Sequence, residues 1–170
     1  MLTIHRPLAD DSRCVAVEGA RIAGLGSYAA LRAAHDDHAR VREWAGGTLA
    51  TGRHEPGAVR LLETLYWPDP READEWGTEP LPVGPAGMPD ARWGASARRG
   101  LQRMLARGVT AVAGPFTRPP VLTAVRRSGV LVDTAAPTLS PGARADFAVL
   151  AADGSCLATV VGGRLVHRRA

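Results

Sequence analysis

The sequence predicts a mixed α/β fold in which both ends of the chain form a β module around a short α/β insert. Three observations support it. Within residues 142–169, Asp153-Gly154 and Gly162-Gly163 separate three short apolar runs, a pattern that indicates an antiparallel meander. Near the other end, apolar runs on both sides of Gly19-Ala20 indicate a β-hairpin. Between the ends, a helical pattern, a glycine and an apolar run follow one another twice, which is typical of parallel strands linked by helices.

The N-terminal third is expected to be mostly strand. Alternating or short apolar runs predict strands at residues 2–5, 13–18, 21–25, 41–44 and 48–51. One short helix is expected from Tyr28 to His35. Ser27 precedes it and is a plausible N-cap, because a serine oxygen can accept a hydrogen bond from a free N–H of the first turn.

The start of the insert is ambiguous. Pro56 is suited to the first position of a helix, where its missing N–H is not needed. Residues 58–67 fit a helix with Val59, Leu62 and Tyr66 on one face, or a strand through 61–67. Both readings stay open. Residues 68–92 are rich in proline, glycine and acids and are expected to form a long loop, which in a compact domain is usually functional or mobile.

The clearest helix is expected over residues 94–107. Ala97, Leu101, Met104 and Leu105 form its apolar stripe, and Gly108 fits the position after its C-terminus. A buried strand over 109–113, a helix over 121–127 and a strand over 130–132 are expected to follow.

Composition limits the classes of function. The 170 residues are 45% hydrophobic, which suits one compact unit, with 1–55 and 134–170 as the β module and 56–133 as the insert. All 21 basic residues are Arg and lie scattered among acids, so nucleic-acid binding is not favoured despite the net charge of +4.

No apolar run approaches the roughly 20 residues of a membrane span, and the first residues lack a signal-peptide pattern. We therefore expect a cytoplasmic protein that does not bind membranes. Cys14 and Cys156 lie in predicted strands and are expected to be buried small hydrophobes rather than a disulfide framework or a metal site.

Four stretches of sequence resemble the amidohydrolase superfamily, in the branch of imidazolonepropionase and aminodeoxyfutalosine deaminase. The most specific is PGARADFAVL with VVGGRLV, which resembles the end of the family's composite β-sandwich. The four stretches, in order, are 21–26 (RIAGLG), 56–59 (PGAV), 105–112 (LARGVTAV) and 141–150 with 160–166.

The resemblance implies a composite β-sandwich formed by both chain ends and an insert derived from a truncated TIM-like barrel. Few residues separate Val132 from Pro141, so most of an eight-stranded barrel is absent. The family's metal-binding His-x-His pair would fall on Leu62 and Thr64, no His-x-His occurs, and the chain has no Lys to carbamylate. We therefore expect no metal site and no other cofactor.

Other residues could still supply chemistry. His54 directly precedes the stretch where the family builds its site, and Glu63, Tyr66 and Asp69 lie in a segment that combines acids with aromatics. A carboxylate against an indole face has a raised pKa that suits acid–base catalysis. His54, Glu63, Tyr66 and Asp69 are thus the candidate catalytic residues. The sequence His35-Asp36-Asp37-His38 fits a polar helix end better than a weak surface metal site.

These features predict an amidohydrolase-like binding or assembly module without metal-dependent catalysis. The alternative is a hydrolase that acts on a non-peptide C–N bond of a small cyclic amide or amidine. A truncated barrel leaves strand edges and apolar surface uncovered, so we expect a homodimer or a partner chain that covers them. A small-molecule ligand is a further expectation.

Overall fold

The structure is a computed structural model that describes residues 1–35, 39–82, 87–134 and 137–169. The chain divides into two compact units. The first consists of Met1–Arg53, Leu105–Thr110 and Ala135–Ala170, and the second of His54–Met104 and Ala111–Thr134. None of the helices in the described part of the chain is long and apolar enough to cross a lipid bilayer.

Thirteen strands and five helices are present in the described residues, together with one 3₁₀ turn. In chain order they are β1 (Leu2–Pro7), β2 (Cys14–Glu18), β3 (Arg21–Gly26), α1 (Tyr28–Ala34), β4 (Arg40–Trp44), β5 (Thr48–Thr51), β6 (Arg53–Glu55), α2 (Ala58–Glu63), β7 (Leu65–Tyr66), the 3₁₀ turn (Pro70–Glu72), α3 (Ala73–Trp76), β8 (Leu81–Pro82), α4 (Asp90–Leu105), β9 (Val109–Val112), α5 (Pro119–Ser128), β10 (Leu131–Val132), β11 (Phe147–Leu150), β12 (Cys156–Val161) and β13 (Arg164–Arg168).

The first unit contains two four-stranded sheets. One has the order β3-β2-β1-β4, with β1, β2 and β3 antiparallel and β4 parallel to β1. Ser27 caps α1 as predicted, because its hydroxyl accepts a hydrogen bond from the Ala30 N–H at 3.2 Å. Residues 36–38, which include most of the His35–His38 sequence, lie outside the described residues.

The second sheet confirms the predicted C-terminal meander. Its order is β13-β12-β11-β5, and every neighbouring pair is antiparallel. The two sheets share one core, which makes the first unit a β-sandwich formed by both chain ends. The buried core residues are Val15, Val17, Ile22, Trp44, Leu49, Ala145, Phe147, Val149, Ala158 and Val160.

The prediction that both cysteines are buried is confirmed. Cys14 in β2 and Cys156 in β12 are buried and are not paired in a disulfide. Burial raises the pKa of the Cys14 thiol to about 11, so this sulfur stays protonated and packs as a small apolar group.

The most specific family-like stretch has a physical explanation in the first unit. Asp146 is fully buried, and its Oδ1 accepts a hydrogen bond from the Gly162 N–H at 2.7 Å. The Gly163 N–H donates to the Ala145 carbonyl at 2.9 Å. Gly163 has a φ of +75°, and a Cβ there would lie 2.0 Å from the Gly19 carbonyl oxygen. Only glycine fits this close approach, so the Ala-Asp and Gly-Gly pairs of the sequence form one packed corner.

The second unit contains most of the helices. The apolar stripe predicted for α4 is buried as expected, and Trp93 is buried one turn earlier. Gly129 ends α5 with a φ of 78°, and β10 pairs with β9 in parallel, which confirms the predicted α/β organisation. The three-stranded sheet has the order β10-β9-β6.

The ambiguous segment contains both kinds of element. Helix α2 covers Ala58–Glu63, and the short strand β7 follows it. Pro56 is not the first helical residue, because Gly57 is the N-cap and α2 begins at Ala58. Pro56 lies in a turn in which the Glu55 carboxylate accepts a hydrogen bond from the Gly57 N–H at 2.8 Å.

Residues 68–92, where we expected a loop, contain the 3₁₀ turn, α3, β8 and the first residues of α4 in their described part.

The segment 105–110 belongs to the first unit. Its carbonyls accept hydrogen bonds there, from the Thr159 hydroxyl to Leu105 and from the Arg53 N–H to Gly108.

Candidate functional site

His54 lies apart from the other candidate residues. It sits on the short strand β6, and its side chain is exposed. No hydrogen bond within the described residues joins His54 to Glu63, Tyr66 or Asp69. The structure therefore does not bring the predicted histidine together with the predicted acids.

Glu63 is buried at the end of α2 and holds the chain just before α5. Its Oε1 accepts hydrogen bonds from the Thr117 and Arg118 N–H groups, both at 2.7 Å, and its Oε2 accepts one from the Thr117 hydroxyl at 2.9 Å. The Arg118 Nε donates to the Glu63 carbonyl at 3.2 Å. A carboxylate beside the N-terminus of a helix also benefits from the helix dipole. This geometry is that of a structural anchor for α5.

Tyr66 is buried on β7, and its hydroxyl bridges a carboxylate and a guanidinium. It donates a hydrogen bond to the Glu72 carboxylate and accepts one from the Arg92 Nε at 3.2 Å. The Arg92 guanidinium also donates to Glu72 at 3.1 Å and lies 4.9 Å from the centre of the Tyr66 ring. Tyr66, Glu72 and Arg92 form a closed triangle, which we call the Tyr66 cluster.

The charges of the Tyr66 cluster support one another. The Tyr66 hydroxyl, the Asp69 N–H and the Arg92 charge lower the pKa of Glu72 in spite of partial desolvation. The hydrogen bond to Tyr66 and the charge of Glu72 raise the pKa of Arg92. Glu72 is therefore ionised at neutral pH and acts as a hydrogen-bond acceptor rather than as a proton donor.

Asp69 lies beside the Tyr66 cluster. Its Oδ2 is 3.3 Å from an Arg99 Nη, and the Arg99 Nε donates to the Trp67 carbonyl at 2.8 Å. Next to this pair is a cleft of about 250 Å³, small enough for a few atoms of a ligand. Its lining residues are Trp67, Pro68, Pro70, Thr78, Arg99, Gln102 and Arg103.

Local sequence explains how this region forms. Asp69-Pro70-Arg71-Glu72 is a capping box: the Asp69 carboxylate accepts from the Arg71 N–H, and the Glu72 carboxylate accepts from the Asp69 N–H. Proline at the first position of the turn fits its fixed φ. The same two carboxylates therefore close the turn and receive the arginines of α4.

Trp67 ties this region to α4. Its N–H donates to the buried Ser96 hydroxyl at 2.9 Å, and its indole donates to the Leu61 carbonyl at 2.9 Å. A Cβ on Gly100 would lie 2.7 Å from the Trp67 Nε1, so glycine lets the indole approach the helix.

The donor set does not fit the metal that the amidohydrolase resemblance implies. Leu62, at the first His position, lies fully buried in α2, and Thr64, at the second, ends that helix. In the described ranges no three His, Cys, Asp or Glu side chains lie close enough together to hold a metal ion. A water-activating metal needs about three protein ligands.

Sequence reasoning missed three residues of this region: Glu72, Arg92 and Arg99. The capping-box spacing of Asp69 and Glu72 was a signal for the first. Arg92 and Arg99 are seven residues apart, so on a helix they lie on one face two turns apart. Their signal was hidden because residues 68–92 were expected to form a loop.

Comparisons with known proteins agree with the fold. The family model described as imidazolonepropionase-like composite domain, bacteria, matches residues 14–37, which run from β2 to α1 and beyond. No curated protein matches the sequence.

Several solved structures are similar to this chain. E. coli guanine deaminase has a TM-score of 0.50 at 12% identity, over 78% of this chain and 35% of that one. Triazine hydrolase from Arthobacter aurescens has a TM-score of 0.47 at 14% identity, over 77% of this chain and 34% of that one. A. niger ochratoxinase has a TM-score of 0.48 at 17% identity, over 77% of this chain and 30% of that one. The chain spans about a third of the length of these proteins.

Identities this low speak for the fold and not for an activity. The matched segment 14–37 and the β-sandwich built from both chain ends agree with the resemblance that the sequence motifs predicted. The fold of this chain is therefore similar to that of amidohydrolases, and residues 14–37 are similar to the imidazolonepropionase-like composite domain.

Proposed function

We propose that this amidohydrolase-like chain lacks metal-dependent catalysis and acts as a binding or assembly module. The observation that carries the proposal is the position of Leu62 and Thr64. The family's histidines project from a strand, whereas Leu62 is a fully buried core residue of a helix and Thr64 is the residue that ends it. A metal could not be restored here by changing two side chains alone, because the backbone is helical.

The polar candidates support the same proposal. Glu63 is occupied by three donors from the segment before α5, and Tyr66 is occupied by Glu72 and Arg92. Side chains held in this way position neighbouring segments. The catalytic role predicted for His54, Glu63, Tyr66 and Asp69 stays a prediction.

Metal analysis of the purified, untagged protein tests the proposal. We expect far less than one zinc or iron ion per chain, even after growth in metal-supplemented medium. We also expect no hydrolysis of a panel of cyclic amides and amidines, with or without added zinc. Stoichiometric metal together with chelator-sensitive hydrolysis would instead support the C–N hydrolase.

Variants sharpen that test. If hydrolysis is seen, His54→Ala and Asp69→Asn would abolish it only if these residues form a site of their own. Arg13→Gln, a change of an exposed residue in the first unit, serves as the matched control.

The assembly part of the proposal is a homodimer. The three-stranded sheet β10-β9-β6 has two edge strands, whereas a closed barrel has none. We expect light scattering to give twice the 17.9 kDa chain mass at micromolar concentration. A monomer at every concentration would contradict self-association.

A further inference from the structure

The first unit contains a cleft of about 440 Å³ that the proposed function does not use. It lies between β4 and β13, the edge strands of the two sheets. Arg40, Arg42 and Trp44 alternate along β4 and therefore share one face of that strand, and Arg168 comes from β13. The complete lining is Arg40, Val41, Arg42, Glu43, Trp44, Leu165 and Arg168.

The positive charge of this cleft is not neutralised within the described residues. Arg40, Arg42 and Arg168 have no carboxylate within 4.0 Å there. Glu43 also lines the cleft, but its carboxylate is held by Arg6 at 3.0 Å. Asp11 is also bound to Arg6, at 2.7 Å. Three guanidiniums therefore share one cleft, and none of them has a carboxylate partner among the described residues.

Arg42 is affected by partial burial and by the neighbouring positive charges. Partial burial and the charges of Arg40 and Arg168 lower the pKa of Arg42. Like charges that stay together at such a cost are typical of a site that receives an anion.

Two buried polar atoms near these arginines have no hydrogen-bond partner among the described residues. His5 is opposite Arg42 in the β1–β4 register and stacks on Trp44, with ring centres 5.9 Å apart. His5 is 2% exposed and Trp44 is 6% exposed. Neither the His5 Nδ1 nor the Trp44 Nε1 has a hydrogen-bond partner in the described part of the chain. Unsatisfied buried polar atoms are uncommon. Here one belongs to Trp44, which lines the cleft, and the other belongs to His5, which stacks on Trp44.

We propose that this cleft binds a small molecule through a phosphate group. A phosphate offers several oxygens and two negative charges, and one guanidinium can donate two parallel hydrogen bonds to two such oxygens. The volume suits a small ligand rather than a polymer, and the other arginines are scattered among acids in the sequence. The proposal is independent of the proposed function, because no residue of the Tyr66 cluster takes part in it.

Isothermal titration of the full chain with inorganic phosphate tests the proposal, with pyrophosphate as a second probe and chloride at matched ionic strength as the blank. We expect saturable binding that Arg42→Gln weakens by about tenfold, the loss expected for one charged hydrogen bond. Arg168→Gln removes a guanidinium from the opposite strand and is expected to weaken binding by a similar factor.

Arg164→Gln is the matched control. Arg164 is an exposed residue of the same strand as Arg168 and does not line the cleft, so its change is expected to alter binding by less than about twofold. Circular dichroism melting checks that each variant is folded. The absence of saturable phosphate binding to the folded wild-type chain would overturn the proposal. So would equal losses in Arg42→Gln, Arg168→Gln and Arg164→Gln, because they would indicate net charge alone.

A single-stranded oligonucleotide provides the last arm. Oligonucleotide binding that depends on Arg42, without binding of inorganic phosphate, would replace the small ligand with a nucleic-acid backbone and overturn the proposal as stated.

Discussion

The buried ionisable side chains of the two units are held in opposite ways. In the second unit, Glu63 has a hydrogen-bond donor for each carboxylate oxygen. In the first unit, Asp146 has one donor, from Gly162, and its Oδ2 lies 3.2 Å from Arg144 in an ion pair without a hydrogen bond. His5 in the same unit has an Nδ1 without a partner in the described residues.

The difference shows what burial does when donors are scarce. Burial raises the pKa of Asp146, against the opposing effects of Gly162 and Arg144. Burial, with a smaller effect of Arg42, lowers the pKa of His5 to about 3. Both shifts favour the neutral form of the group. The first unit therefore depends on backbone fit around these groups, and the second on saturated hydrogen bonding.

The largest effect is expected at the corner that provides the donor to Asp146. Gly163→Ala places a Cβ 2.0 Å from the Gly19 carbonyl, so we expect a loss of at least about 3 kcal/mol in the free energy of unfolding, or no folded protein. Gly154→Ala is the control: φ is +78° there too, but nothing lies within 4 Å of its Cβ. It is expected to cost about 1 kcal/mol. Equal losses in urea unfolding would show that the close approach does not matter.

Glu63 tests the saturated hydrogen bonding of the second unit. Glu63→Ala removes the charged acceptor of the Thr117 and Arg118 N–H groups, and we expect unfolding by urea to show a loss of about 2–3 kcal/mol. Glu63→Gln keeps an oxygen for the Thr117 and Arg118 N–H groups, so it is expected to cost less than about 1.5 kcal/mol. If both variants lose the same amount, the negative charge matters more than the hydrogen bonds.

His5 tests the first unit, where buried groups have few hydrogen-bond partners, through the pH dependence of stability. Because its pKa is lowered in the folded state, the unfolded chain binds more protons between pH 6.5 and about 3. Stability is therefore full above pH 6.5 and falls on acidification, by roughly 1–2 kcal/mol down to about pH 5.

The His5→Phe variant is the control for that prediction. It keeps a ring against Trp44 and Phe147 and is expected to lack this part of the pH dependence. The difference between the two proteins also removes the contribution of His167, whose pKa burial lowers as well. Parallel stability curves for wild type and variant would show that His5 is not the titrating group.

The smallest effect is expected for Asp146→Asn. The amide oxygen can still accept from Gly162, so stability at pH 7 is expected to change by less than about 1 kcal/mol. Since the folded-state pKa of Asp146 is raised, its favourable contribution is complete below the ordinary pKa of an aspartate and is lost as pH rises. The free energy of unfolding of the wild type should therefore rise relative to that of the variant as pH falls towards 4. The opposite trend in thermal melts at several pH values would contradict the shift.

Much of the fold could be predicted from local sequence. The C-terminal meander, the Ser27 cap, the α4 stripe and the Gly129 stop all follow from turn dipeptides, capping residues and periodicity, which act between neighbours in the chain. Residues 58–67 were less certain because a helix and a strand share that short apolar run, and the chain uses both.

The candidate site could be predicted only in part. Tyr66 and Asp69 do lie in one region, because they are close in sequence. Glu63 is turned to α5 instead, through contacts with Thr117 and Arg118 that lie 54 and 55 residues away. Arg40, Arg42 and Arg168 lie on the edge strands of two different sheets, and the packing of those sheets brings them to one cleft. The spacing of the arginines in the sequence does not indicate this.

The sequence by itself determined most of the strands and helices, the turns of the C-terminal meander, and the absence of a His-x-His pair. These depend on local conformational preference and on which side chains are present. Only the tertiary structure decided which acids are saturated by donors, and which arginines have no carboxylate partner among the described residues. Those properties depend on distances between residues far apart in the chain, which are fixed when the sheets pack.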